Sequence, residues 1–202
     1  PAQLSRNIAH FVSRDAMDID GLGAAIVDAL IEKGLIKSPA DIYYLTLDDV
    51  KSLWKAGSTA AKKLLAAIEK SKDCALAAFI YAVGIPNIGI KTARDLAERY
   101  SSIDALRQAP REALVQMDDV GDIVAQSIVD FFADPVTRAE TERLLARGIS
   151  PVWEKREAGG AFTGMTVVIT GTLETLSRAE AEERGQGEAI AENILEMMGL
   201  RT

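Results

Sequence analysis

Apolar positions recur in a fixed pattern around four glycines, which are spaced 34, 32 and 32 residues apart: Gly23, Gly57, Gly89 and Gly121. The residues four and one before each glycine are apolar, and so are those four and seven after it. The positions after the glycine follow helical spacing, which predicts a helix with one buried face. A fixed period of this length predicts a repeated supersecondary unit whose copies pack on one another.

A tight turn is predicted ahead of each helix. The residue two before the shared glycine is Gly21, Lys55, Asn87 or Asp119. Glycine, asparagine and aspartate tolerate the left-handed backbone conformation, so three of the four copies obey the same rule and Lys55 departs from it. The unit is therefore helix, hairpin, helix. The unpaired N–H groups at the second helix start, together with the helix dipole, suit a phosphate oxygen and need no particular base.

This unit resembles the helix-hairpin-helix motif, which binds the DNA backbone, so the resemblance makes the hairpins candidate sites for contact with DNA. The candidate residues are Gly21, Gly23, Gly57, Ser58, Thr59, Lys62, Lys63, Asn87, Gly89, Lys91, Thr92, Arg94 and Gly121. We expect the second and third hairpins to carry most of the contact, because lysine, arginine and hydroxyl side chains follow their glycines. The first is intermediate, and the fourth contributes least because Asp118, Asp119 and Asp122 place negative charge there.

Composition narrows the class of protein. The chain has 202 residues, 48% of them hydrophobic, and a net charge of −7, but six lysines and one acid lie between residues 51 and 72. Basic charge concentrated at a hairpin is compatible with DNA binding despite the negative sum. Cys74 is the only cysteine and His10 the only histidine, which excludes disulfides and argues against metal ligation within this chain. No apolar run reaches membrane-spanning length, so we expect a cytoplasmic protein without membrane contact.

Several stretches resemble one family. HFVSRDAMDIDGLG (10–23) and ALAAFIYAVGIPNIG (75–89) are similar to the helix-hairpin-helix domain of bacterial NAD-dependent DNA ligases. The opening PAQL looks like the residues that follow that family's zinc finger, and FTGMTVVITGTLETLSRAEAEE (162–183) is similar to the start of its BRCT domain. The resemblance implies a mainly α fold with four tandem helix-hairpin-helix repeats in residues 1–150. A linker at 151–161 and a partial α/β BRCT-like segment at 162–202 would follow.

The resemblance also implies a role. The chain would be the non-catalytic C-terminal part of an enzyme that seals nicks in replication and repair, with double-stranded nicked DNA and the remaining ligase domains as partners. The lysine that becomes adenylated would lie outside this chain, as would the sites for NAD, Mg²⁺ and a structural Zn²⁺, so we expect no cofactor here and no joining by this chain alone. In the BRCT-like segment, Thr170 and Gly171 occupy the place where some BRCT domains hold a phosphate.

Two other functions remain open, and one part of the sequence departs from the family pattern. A DNA-repair scaffold that binds DNA and protein partners is one alternative. A helix-hairpin-helix DNA glycosylase with Lys91 as nucleophile is a minor one, since the residue 18 positions on, where that chemistry needs a carboxylate, is Ala109. After Arg184 the sequence does not follow the BRCT pattern, so the segment is either truncated or lacks residues after about Glu183. MTVVITGTL (165–173) is the only strand that the pattern predicts convincingly.

Overall fold

A computed structural model describes residues 2–53 and 58–153 of the chain, all within a compact unit that ends at Glu154. This part is mainly helical, as predicted. In chain order its elements are α1 (Ala2–Phe11), α2 (Ala24–Glu32), a 3₁₀ helix (Pro39–Tyr44), α3 (Leu47–Lys51), α4 (Ser58–Lys70), β1 (Asp73–Ala75), α5 (Leu76–Ala82), α6 (Ile90–Tyr100), α7 (Ile103–Arg107), α8 (Arg111–Val115), α9 (Asp122–Ala133), α10 (Pro135–Ala146) and β2 (Ser150–Val152).

The repeated apolar positions form the core. The residues four after the shared glycines are Val27, Ala61, Ala93 and Ala125, and those seven after are Leu30, Leu64, Leu96 and Ile128. Each of these eight side chains is at most 2% exposed. The predicted buried face is therefore confirmed on α2, α4, α6 and α9. The small residue one turn into the helix lets neighbouring backbones approach, and the larger one at the next turn fills the interior.

Two short strands depart from the sequence expectation. β1 and β2 pair in parallel, with Asp73 opposite Ser150 and Ala75 opposite Val152. The Ser150 amide also donates to the Lys72 carbonyl at 2.8 Å, which extends the pairing by one bond. Three-residue strands are too short to show the alternating pattern that identifies a strand. The strand predicted at 165–173, the BRCT-like segment and most of the proposed linker lie outside the described residues.

The 3₁₀ helix is held in place by side-chain contacts with α10 and with the residues just after α4. The Glu140 carboxylate of α10 accepts from the Ala40 amide at 2.7 Å. The Arg147 guanidinium lies 3.8 Å from the centre of the Tyr44 ring and donates to the Tyr43 carbonyl, and the Tyr43 hydroxyl reaches Ser71 at 3.0 Å. The two tyrosines thus anchor this region between α2 and α3.

Candidate nucleic-acid interface

Three of the four predicted turns are described, and they share one backbone conformation. The residue two before the shared glycine has a positive φ in each, of 87° at Gly21, 65° at Asn87 and 62° at Asp119. The amide just before the glycine donates to the carbonyl three residues earlier, at 3.2 Å for Leu22, 3.3 Å for Ile88 and 3.2 Å for Val120. The left-handed turn predicted from residue type is confirmed at these positions. Lys55 and Gly57 of the second turn lie outside the described residues, so the count of four repeats stays a prediction.

The helices that follow these turns begin without a side-chain cap. Gly23, Gly89 and Gly121 are the N-cap residues of α2, α6 and α9, and none of the three helices receives a capping side-chain hydrogen bond. Three other helices are capped by side chains: α3 by Thr46, α7 by Ser102 and α10 by Asp134. The first amides of a helix lack intrahelical partners. At the hairpins they remain available to an external acceptor, and the helix dipole favours an anion there.

The three N-cap glycines occupy positions where the fold itself does not require glycine. Their φ values are −68° at Gly23, −94° at Gly89 and −78° at Gly121, which any residue can adopt. Apart from the glycine itself and its neighbours in the chain, a Cβ atom built on each would have no heavy atom within 4 Å. By contrast, Gly21 has a φ of 87°, where a side chain would be strained. The open space above the N-cap glycines therefore allows close approach of another molecule to the backbone.

Neighbouring hairpins are in contact in pairs. A Cβ atom on Gly21 of the first turn would lie 3.5 Å from the Leu64 side chain on α4. In the third turn, the Asn87 side-chain amide donates to the Ser127 hydroxyl on α9 at 3.0 Å. In both cases the turn of one hairpin thus lies close to the second helix of the following unit.

Most of the candidate side chains that the structure describes are accessible to solvent. Lys62, Lys63 and Arg94 are exposed, Thr59 is exposed, and Thr92 is half-buried. The side chain of Ser58, and the whole of Gly57, Thr170 and Gly171, lie outside what the structure describes. Lys62 and Lys63 follow one turn after the start of α4, so they can reach an anion held at that helix start. All these residues remain predicted contacts.

The sequence alone did not indicate the ion pairs around the third and fourth hairpins. The Lys91 ammonium donates to the Asp119 carboxylate in the fourth turn and lies 3.3 Å from Asp95, and these contacts raise the pKa of Lys91. Arg111 donates to the Asp122 carboxylate at 2.6 Å. Two of the three acids expected to repel DNA at the fourth hairpin are therefore paired with cations. Only the Lys91–Asp95 pair has a spacing, i to i+4, that sequence could have signalled.

The described residues contain neither a metal-binding cluster nor a membrane span. Across 2–53 and 58–153 there is no group of three or more His, Cys, Asp or Glu side chains arranged to hold a metal ion. His10 instead lies edge-on to Tyr81, with its Nε2 atom 2.8 Å from the Tyr81 carbonyl oxygen. None of the helices in the same ranges combines the length and apolar character that a bilayer crossing requires.

This chain matches a known family motif, and its sequence is similar to that of known proteins. The family pattern described as "Helix-hairpin-helix motif" matches residues 78–140, which run from α5 into α10. The chain is 48% identical over 188 residues to a DNA ligase of Trichlorobacter lovleyi, covering 93% of this chain and 28% of that ligase. It is 45% identical over 183 residues to a Clostridium perfringens DNA ligase (90% and 28%) and 48% identical over 183 residues to one of Caldicellulosiruptor bescii (91% and 27%).

These matches confirm the resemblance predicted from the motifs. Nearly the whole chain is similar to one segment of proteins named DNA ligase. The chain spans about 28% of the length of the curated relatives that it matches.

Proposed function

We propose that this chain, similar as it is to one segment of bacterial DNA ligases, binds double-stranded DNA around a nick through the helix starts of its hairpins. The observation that supports this most directly is the set of N-cap glycines. Gly23, Gly89 and Gly121 each have an ordinary backbone conformation and open space where a side chain would be. A fold with no need for glycine at three equivalent places fits a partner whose backbone approaches closely there.

A phosphate oxygen is the partner group that these helix starts suit. Each glycine exposes backbone amides that no side chain caps, at the positive end of a helix dipole. Amide contacts to phosphates position a duplex but carry no information about base sequence. Binding through them is therefore sequence-independent, as an enzyme that acts at any nick requires.

The charge distribution supports the same partner. Lys62 and Lys63 are exposed on the first turns of α4, and Arg94 is exposed on α6. Lysine and arginine near a phosphate release condensed counterions from DNA, which makes affinity fall as salt rises. Since the net charge of the whole chain is −7, these exposed cations and the helix dipoles would supply the favourable electrostatic contribution.

The wider role is also part of the proposal. The parent protein would be an NAD-dependent ligase that seals nicks in replication and repair, with NAD, Mg²⁺ and Zn²⁺ bound by its other domains. This chain would orient the duplex for those domains and would neither become adenylated nor join ends by itself. Residues 162–202 would form a partial BRCT-like segment after a linker at 151–161.

A salt-titrated binding measurement with matched variants tests the proposal. Affinity is measured for nicked and intact duplexes of two unrelated sequences, with the chain as it stands and with Lys62→Glu/Lys63→Glu. We expect equal affinity for both sequences, and a loss of about tenfold or more in the double variant together with a shallower salt slope, by up to about two. The control is Lys33→Glu/Lys37→Glu, which makes the same change in charge at exposed lysines beyond the C-terminal end of α2.

Three results would contradict the proposal. They are a strong preference for one sequence, a flat response to salt, or an equal loss of affinity in the control variant. Circular dichroism of each variant shows whether its helices are intact, so a misfolded variant is not mistaken for a lost contact.

A further inference from the structure

An ion pair joins the third hairpin to the fourth. Lys91 is the second residue of α6, and its ammonium donates to the carboxylate of Asp119, which lies 28 residues on in the turn before α9. The side chains remain 72% and 64% exposed, so the pair lies on the open surface rather than in the core. Asp95, one turn along α6, provides a second carboxylate at 3.3 Å.

The position of this pair matters because Lys91 lies at the start of α6. A phosphate held by the uncapped amides after Gly89 would be near this ammonium, and the two would form a charge-assisted contact. The Asp119 carboxylate is also an oxyanion, and in this structure it accepts a hydrogen bond from the ammonium. It therefore takes the place at Lys91 that a DNA phosphate would take.

We propose that Asp119 competes with a DNA phosphate for Lys91 and thereby lowers the affinity of the third hairpin for DNA. This inference rests on the proposed function, because it assigns a role to one residue within the same interface. Ion pairs as exposed as this one are weak and screened by salt. A phosphate can therefore displace the carboxylate, and the cost of doing so reduces the affinity without preventing binding.

The turn geometry supplies a clean variant. Asp119 has a φ of 62°, a left-handed conformation that asparagine tolerates as well as aspartate. Asp119→Asn therefore removes the charge and leaves the turn in place. Asp118→Asn is the matched control, since Asp118 is equally an exposed acid in the same turn but makes no ion pair within the part of the chain that the structure describes.

A double-mutant cycle isolates the competition. Affinity for a nicked duplex is measured across a salt series for the unchanged chain, Asp119→Asn, Lys91→Gln and the double variant. We expect Asp119→Asn to strengthen binding about two- to fivefold and to steepen the salt slope by up to about one. In the Lys91→Gln background, Asp119→Asn should change the affinity by less than about twofold, because there is no ammonium for the loss of the Asp119 charge to make available to DNA.

Other roles for the Lys91–Asp119 pair would give different results in these measurements. If the pair served only to hold the two turns together, Asp119→Asn would lower the melting temperature and weaken binding, which would overturn the inference. An equal gain from Asp118→Asn, or an equal gain with and without Lys91, would show general repulsion of DNA by acids and would overturn it too. In these cases the unchanged chain still binds DNA and the proposed function stands. No binding by any variant at low salt would overturn both.

Discussion

The third and fourth hairpins have the same backbone conformation, but the side chains around their helix starts carry opposite charge. Each turn contains one residue in the left-handed conformation, Asn87 in the third hairpin and Asp119 in the fourth. The helix that follows has a glycine as its N-cap residue, Gly89 or Gly121, with no side-chain cap and with open space where a side chain would be. After Gly89 come a lysine, a threonine and an arginine, whereas an aspartate follows Gly121 directly. One copy is suited to an anion by both backbone and side chains, the other by its backbone alone.

Turn geometry and surface charge are set largely by different residues, although Asp119 contributes to both. The turn depends on the left-handed residue and on the apolar residues around it, such as Ile85 and Val120, which are buried. The charge depends on exposed residues of the turn and of the first helical turn, such as Asp118 and Asp122, which the core does not constrain. A repeat can therefore keep its place in the fold while its contact with DNA weakens, and the pairing of Asp122 with Arg111 at 2.6 Å fits such a structural copy.

The largest expected effect comes from filling the open space above the N-cap glycines. Gly89→Val should weaken duplex binding by about tenfold or more, because a branched side chain would displace a phosphate from hydrogen bonds worth roughly 1.5–3 kcal/mol. Gly121→Val should cost less than about threefold, since the fourth hairpin is predicted to carry least of the contact. Both changes suit the extended backbone at these residues, with ψ values of 175° and 176°. Duplex affinity in a filter or fluorescence assay measures the difference.

Thermal melting is the control for this pair of variants. Because a Cβ atom at either glycine would have no other atom within 4 Å, the folded state should tolerate both substitutions to a similar degree. Equal losses of affinity at the two glycines would show that the hairpins share the DNA contact evenly. Gly89→Ala, a smaller addition at the same place, should give an intermediate loss.

Charge reversal at the two helix starts should act in opposite directions. Lys91→Glu is expected to weaken binding about three- to tenfold, because it replaces a cation by an anion beside the proposed phosphate. Asp122→Lys should leave affinity unchanged or raise it, although it also removes the partner of Arg111. Affinities at two salt concentrations, with helicity checked in each variant, provide the measurement. A larger loss in Asp122→Lys than in Lys91→Glu would reverse the ranking of the hairpins.

Local chemistry explains why the turns and the core could be predicted from sequence. The left-handed residues were identified because few residue types tolerate that conformation, and Gly21, Asn87 and Asp119 are among them. The buried faces were identified because a period of 3.6 residues needs no knowledge of distant partners, and Leu30 and Leu96 are fully buried as expected. The caps of α3 and α7 are equally local, since Thr46 and Ser102 each accept from the amide three residues further on.

Contacts between distant residues explain what could not be predicted. β1 pairs with β2 across 77 positions, from Asp73 to Ser150, and neither segment is long enough to show alternation. The Lys91–Asp119 pair joins residues 28 positions apart, so nothing near Lys91 in sequence reveals it. The turns and helix starts of the candidate interface were thus predictable, whereas the ion pairs of its side chains depended on how the hairpins pack together.

The smallest expected effect is a shift in one carboxyl pKa that reports on the link between these hairpins. The hydrogen bond and charge of Lys91 hold the pKa of Asp119 below its ordinary value of 3.8. Because this pKa is lowered on folding, the pair stabilises the fold above pH 3.8, and the contribution is lost as pH falls through the folded-state value. Lys91→Gln should therefore raise the pKa of Asp119, measured from side-chain carboxyl shifts by NMR.

A second carboxyl group in the same titration provides the internal control. The Thr137 amide lowers the pKa of Asp134, which caps α10 and has no contact with Lys91 among the described residues. Its pKa should stay in place in Lys91→Gln while that of Asp119 rises. If both values moved together, the substitution would be acting through the overall charge. If neither moved, Lys91 and Asp119 would not be paired in solution, and the two hairpins would then differ in charge without being coupled through it.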